Sequence, residues 1–192
     1  KIITGLVYPT SGYVMINGWN IRQEYSSAMN SVGALIEKPR FYNYLTAEQN
    51  LKLLSRVKGY PNLNILKLLE CVSLHESSRI RVKEFSQGMR QRLGIAQTLI
   101  GDPDLLILDE PTNGLDPASI IQIRELIGQL RTHNITILLS SHILGEVVKV
   151  CDYIMFIRHG EIFQYRGQKM FSIEEIKTSD TLESIFLDLI HE

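Results

Sequence analysis

Apolar residues change period along the chain, and each change marks an element. Ile2, Ile3 and Leu6 fall at helical spacing and read as the end of an amphipathic helix, with Gly5 close to its stop. Pro9, Thr10, Ser11 and Gly12 then read as a turn into a strand from Tyr13 to Ile16, and Asn17-Gly18 as a hairpin corner. A second apolar stretch, Val32 to Ile36, leads to Glu37, Lys38 and Pro39, where proline stops any continuation. From Thr46, a residue suited to capping, Leu51, Leu54 and Val57 follow at helical spacing until Gly59 and Pro61. Ile65, Leu66, Leu69 and Val72 mark another short helix. No strong strand interrupts this middle segment up to about Arg81, so it reads as a lobe inserted into an alternating α/β chain.

Phe85, Ser86, Gln87 and Gly88 precede a helix whose predicted apolar face is Met89, Leu93, Ala96 and Ile100, with Gly101 and Pro103 as its stop. Leu105 to Leu108 is a short, fully apolar strand of the kind covered on both faces. A helix from Pro117 to about Arg131 and a second buried strand, Ile135 to Leu139, complete a βαβ unit with parallel strands. Tyr153 to Ile157, a turn at His159-Gly160, and Ile162 to Tyr165 predict a closing hairpin. Leu182, Ile185, Phe186 and Leu189 place a final amphipathic helix.

Composition narrows the class. The 192 residues, 44% hydrophobic and 21% charged, suit one well-buried α/β domain with a small appended lobe. A formal net charge of -1 gives no electrostatic reason to expect a nucleic-acid partner. Cys71 and Cys151 lie far apart and read as isolated thiols in a reducing compartment. No apolar run approaches the about 18 residues of a spanning helix, so work at a membrane requires a second, spanning chain. The sequence opens inside an element, with neither an initiating Met nor a signal-peptide pattern, and is expected to be a fragment.

Parallel strands point their C-terminal ends at one edge of a sheet, and ligands bind there. The first strand of the βαβ unit is followed by Asp109 and Glu110, the second by Ser140, Ser141 and His142. Topology thus delivers two carboxylates and an imidazole to one rim. That set suits phosphoryl transfer, which is mostly positioning and charge stabilisation. Asp109 is expected to hold magnesium through water, Glu110 to polarise an attacking water as general base, and His142 to contact a terminal phosphate. A Ser-Gln-Gly opening to a helix exposes backbone N–H groups and the positive end of a helix dipole, which suits an anion. Taken alone, Ser86 reads as an ordinary helix cap ahead of an anion contact.

The segment from Leu105 to Pro117, LLILDEPTNGLDP, resembles the Walker B motif and D-loop of ATP-binding-cassette (ABC) ATPases, with Asp116 at the D-loop aspartate. Further segments match that family in order. Gly5 to Gly12 resembles the stretch after the phosphate-loop helix, Phe85 to Met89 with Arg90 to Leu93 the signature and its helix, and Ser141-His142 the switch histidine. The resemblance covers nearly the whole chain. It implies a P-loop NTPase, RecA-like α/β core with a parallel sheet, an inserted helical subdomain, and a C-terminal hairpin and helix. The expected division is 1–45 and 95–170 for the core, 46–94 for the helical subdomain and 171–192 for a helical tail.

The same resemblance implies ATP and magnesium as ligands, hydrolysis of ATP by the full-length protein, and a shared site in a head-to-tail dimer. In such a dimer Ser86, Gln87 and Gly88 contact the γ-phosphate held by the opposite subunit. The implied partner is a separate transmembrane permease, with this chain peripheral at the cytoplasmic face of the cell membrane, and no nucleic acid.

Three departures from the family pattern stand out. The G-x-x-x-x-G-K-[ST] loop is absent, and its lysine would lie about five residues before Lys1. Without that loop and the first strand, the sequence as it stands is expected to be inactive. Lys1 itself reads as a solvated charge. Glu37 stands where the family usually carries glutamine, a substitution resembling the branch linked to bacitracin export and lantibiotic immunity. Its expected role is on the magnesium side and in coupling. The signature has Gln87 and Met89 where glycine and glutamine are commoner, so Ser86 and Gly88 are the expected anchors. Export of an antimicrobial peptide or drug is the leading expectation. A non-transport relative acting in translation or on DNA, and a catalytically silent fragment, are the alternatives.

Overall fold

The computed structural model describes residues 1–163 and 169–174. They fall into two units, residues 1–142 and the residues from 143 onward.

In the first unit, Gly5 has φ of 70°. Its N–H donates to the Ile2 carbonyl at 2.9 Å while the Leu6 N–H reaches Lys1 at 3.1 Å. This pair of bonds is the Schellman closure that ends helices, as the spacing of Ile2, Ile3 and Leu6 predicts. Asn17 and Gly18, with φ of 50° and 83°, turn β1 (Met15–Ile16) onto β2 (Trp19–Asn20). Two positive φ angles in a two-residue corner suit the right-handed twist of a hairpin. Ile16, Ile21 and Ala28, the last in α1 (Tyr25–Met29), are buried together against Val32 and Leu105, so the hairpin seats on the sheet.

Among the described residues the central sheet has three strands, β3 (Val32–Leu35), β4 (Leu105–Asp109) and β5 (Thr136–Ser140), in the order β3-β4-β5 and parallel throughout. Leu106 and Leu108 in the middle strand are fully buried. The strand expected at Ile135 to Leu139 starts one residue later. Its ends are exposed and its middle only half-buried. An apolar run shows that a strand is covered but not on how many sides. Among the described residues β5 has one sheet neighbour.

Between β3 and β4 the chain is helical, as predicted. Thr46 caps α2 (Ala47–Val57) in a reciprocal capping box with Gln49. Asn64 caps α3 (Ile65–Cys71), and Ser86 caps α4 (Gln87–Thr98). Leu51, Leu69 and Val72 are buried, but Val57 and Leu66 are exposed, because each helix packs through one narrow stripe. Helix α4 departs from the single apolar face expected for it: Gly88, Gln91, Gly94 and Thr98 are buried along with Leu93, Ile95 and Ala96. The reason is its position, since it touches α2, α3 and β3. A Cβ on Gly33 of β3 would collide with the Thr98 carbonyl, so the absent side chain lets helix backbone lie directly on strand. Arg92 Nη1 donates to the carbonyls of Val72 and Ser73 at 3.3 and 2.9 Å, where α3 has just ended. Helix α5 (Pro117–Arg131), with the predicted bounds, joins β4 to β5 and also meets α4.

In the second unit, α6 (Leu144–Val150) precedes β6 (Tyr153–Ile154), β7 (Ile157–Arg158), β8 (Glu161–Ile162) and β9 (Phe171–Ser172). The hairpin at His159-Gly160 is present as β7-β8. The single strand expected over Tyr153 to Ile157 is split, however, because Tyr153 and Ile154 pair with β9 instead. Ile154, Phe171 and Ile173 form the small core of this unit. Tyr165 and the amphipathic helix expected around Leu182 to Leu189 lie outside the described residues.

Candidate functional site

Register decides which side chains meet at the sheet edge. Asp109 pairs with Ser140 across β4 and β5, so the residues after each strand leave the sheet side by side. His142 Nδ1 lies 2.9 Å from Glu110 Oε2, and the side chains are 64% and 32% exposed, respectively. Both remain open to a ligand. A proton on Nδ1 donated to the carboxylate leaves Nε2 free to face outward. Glu110 has φ of 48°, a left-handed conformation that disfavours a side chain and that clusters at functional sites.

Ser140 fastens this corner. Its hydroxyl donates to Asp109 Oδ1 at 2.5 Å and accepts the Glu110 N–H at 3.0 Å. The same N–H also reaches the Ser140 carbonyl at 3.2 Å.

Glu37 emerges two residues beyond β3, beside β4, with φ of 63°. Its Oε1 accepts from Lys1 Nζ at 2.6 Å. Lys1 is therefore ion-paired rather than a merely solvated charge. The bond and the charge of Lys1 hold the Glu37 carboxyl below the usual carboxylate range, and Glu37 raises Lys1 in turn, with a smaller push from Asp109. Two carboxylates on adjacent strand ends supply the hard oxygen donors that magnesium takes while keeping several waters. The donor set of Asp109 and Glu37 fits that ion. No three-ligand cage exists among the described residues.

A second group forms where α4 and α5 begin. Ser86 Oγ accepts the Met89 N–H at 3.1 Å, which leaves its own hydrogen available to an anion. Asp116 caps α5, accepting the Ser119 N–H at 3.0 Å and the Ser119 hydroxyl at 2.7 Å. These bonds hold its carboxyl below the ordinary aspartate value. The exposed Gln87 amide lies against Gly114, and the buried Gly88 lies against Ser119, whose hydroxyl a Cβ on Gly88 would strike. Among the described residues no hydrogen bond joins Ser86, Gln87, Gly88 or Asp116 to Asp109, Glu110 or His142. The predicted residues thus form two groups.

Sequence reasoning assigned no role to Ser140, Ser119 or the Lys1–Glu37 pair. Ser119 was detectable three residues after a helix-capping aspartate. Ser140 required the strand register, and the ion pair required contacts across 36 positions.

The model of the family described as ABC transporter matches residues 1–113. The lantibiotic transport ATP-binding protein SrtF of Streptococcus pyogenes is 43% identical over 187 residues, 95% of this chain and 79% of that protein. The bacitracin transport ATP-binding protein BcrA of Bacillus licheniformis is 42% identical over 166 residues, 85% of this chain and 54% of that protein. Among solved structures, the ATP-binding subunit of an ABC transporter superposes with a TM-score of 0.77 at 26% identity, covering 98% of this chain and 80% of that one.

Proposed function

The chain belongs to the ABC transporter family, as an ATP-binding and ATP-hydrolysing domain, and from that premise we propose that it energises export of a peptide antibiotic through a separate permease. The observation that carries the site assignment is the 2.9 Å contact between Glu110 and His142 at the C-terminal edge of a parallel sheet.

In this reading Glu110 takes a proton from the attacking water, and His142 orients that carboxylate while its free nitrogen faces the terminal phosphate. Asp109 and Glu37 would hold magnesium, which when bound neutralises phosphate charge. Ser86, Gln87 and Gly88 serve the nucleotide of a second, head-to-tail domain, and Asp116 stands at the same seam. Support for this comes from the resemblance of Phe85 to Met89 to the family signature and of Asp116 to the D-loop aspartate. ATP that binds the closed pair preferentially shifts the population toward closure, and hydrolysis reverses it. No helix among the described residues is long and apolar enough to cross a membrane; a spanning partner and a place on the cytoplasmic face are part of the proposal. The relatives named for lantibiotic and bacitracin transport support the substrate class.

The test uses the complete protein as its gene encodes it. Phosphate release by the wild type should exceed that of Glu110→Gln by about 10²–10⁴-fold, the usual contribution of a positioned general base. Equal rates would remove the reading. Coexpression with its permease, once identified by copurification, should raise resistance to lantibiotics or bacitracin, and should fail with Glu110→Gln.

A further inference from the structure

We propose that Ser140 is a positioning residue for hydrolysis, its one hydroxyl setting the Asp109 carboxylate and the Glu110 backbone together. The inference rests on the reading of Glu110 as general base. A serine hydroxyl has one hydrogen to donate and lone pairs to accept with. Here the hydrogen goes to Asp109 Oδ1 at 2.5 Å, which turns a lone pair toward the Glu110 N–H at 3.0 Å. Neither bond can rotate without disturbing the other.

The Glu110 bond matters because of the backbone it holds. With φ of 48°, Glu110 occupies a conformation that a side chain disfavours, so a restraint is needed to keep the carboxylate aimed at His142. The Ser140 carbonyl supplies a second, longer bond to the same N–H at 3.2 Å. Loss of the hydroxyl should therefore loosen the corner without unfolding it. Parallel register makes the arrangement possible, since Ser140 is the direct partner of Asp109. The exposed strand end makes it replaceable. Ser140 touches no reacting atom in this scheme and acts only through Asp109 and Glu110.

Isosteric variants isolate the hydroxyl. In the complete protein, Ser140→Val and Ser140→Thr differ by that group alone, and both suit a strand position. Two quantities are read: kcat and KM for ATP, and the amide hydrogen exchange rate of Glu110. The expected result for Ser140→Val is a kcat lower by about 10–100-fold, the usual cost of losing an orienting partner, with KM little changed and faster exchange at Glu110. Ser140→Thr should restore both. A valine variant with wild-type kcat and exchange overturns the proposal. So does a loss of kcat without faster exchange, or a threonine variant as impaired as valine. An inactive wild type would instead defeat the hydrolytic reading, while exchange at Glu110 would still decide what Ser140 holds.

Discussion

Glu110 and His142 are separated by 32 positions in the chain and by 2.9 Å in space. The link between the two distances is the pairing of β4 with β5, which places Asp109 beside Ser140 and lets the next residues of each strand converge. A carboxylate oriented by an imidazole behaves as one device, and that has measurable consequences.

The two side chains should be non-additive. Glu110→Gln and His142→Ala should each lower kcat by at least about 10²-fold, and the double variant should be no slower than the worse single one. Steady-state phosphate release measures this. Multiplying losses would show that the two residues act separately.

The proposed magnesium role of Glu37 predicts an effect on metal affinity. Glu37→Gln removes a charged oxygen donor and the partner of Lys1, so half-saturation of ATPase by magnesium should move up about tenfold, with kcat at saturating metal largely kept. A magnesium titration unchanged from wild type would assign Glu37 to the ion pair with Lys1 alone.

Gly88 should be constrained by its own chain before any nucleotide arrives. A Cβ there would strike the Ser119 hydroxyl and lie 2.7 Å from the Ser119 Cβ, whereas the Ser119 Cα is 3.8 Å away. Gly88→Ala should therefore cost about 1–3 kcal/mol, as overpacking does, and clearly less when introduced into a Ser119→Gly background. Thermal melts of the two single variants and the double variant decide the matter. Failure of the second change to rescue would return Gly88 to a purely nucleotide-facing role.

Asp116 should give stability an acid limb. Its folded pKa is lowered below the ordinary aspartate value, first by the Ser119 hydroxyl and then by the Ser119 N–H. The contribution is thus fully present above that value and is lost as pH falls through the lower, folded one. Asp116→Asn keeps a cap but not the titration. The melting temperatures of wild type and variant should converge as pH drops through this window. Parallel curves would rule the linkage out.

Much of the fold follows from local chemistry and was legible residue by residue. The Asn17-Gly18 corner, the Thr46 cap, the bounds of α5 after Asp116 and the helical run between β3 and β4 are decided within a few positions of themselves. Errors arose where burial depends on distant neighbours. Helix α4 hides polar positions because it sits between other helices and a strand, and β5 is half-covered because of what lies beside it rather than what it contains.

The chain on its own determined which residues are candidates to bear chemistry: carboxylates at 37, 109, 110 and 116, an imidazole at 142, and a Ser-Gln-Gly helix start. Spacing placed Asp109, Glu110 and His142 at strand ends and Ser86 at a helix start, while the family resemblance singled out Glu37 and Asp116. Tertiary structure decided who meets whom. It brought His142 directly onto Glu110, set Ser140 between Asp109 and the Glu110 backbone, tied Glu37 to Lys1, and set Gly88 against Ser119. Such pairings depend on strand register and helix packing, which are long-range properties and have no signature in the few residues around each site.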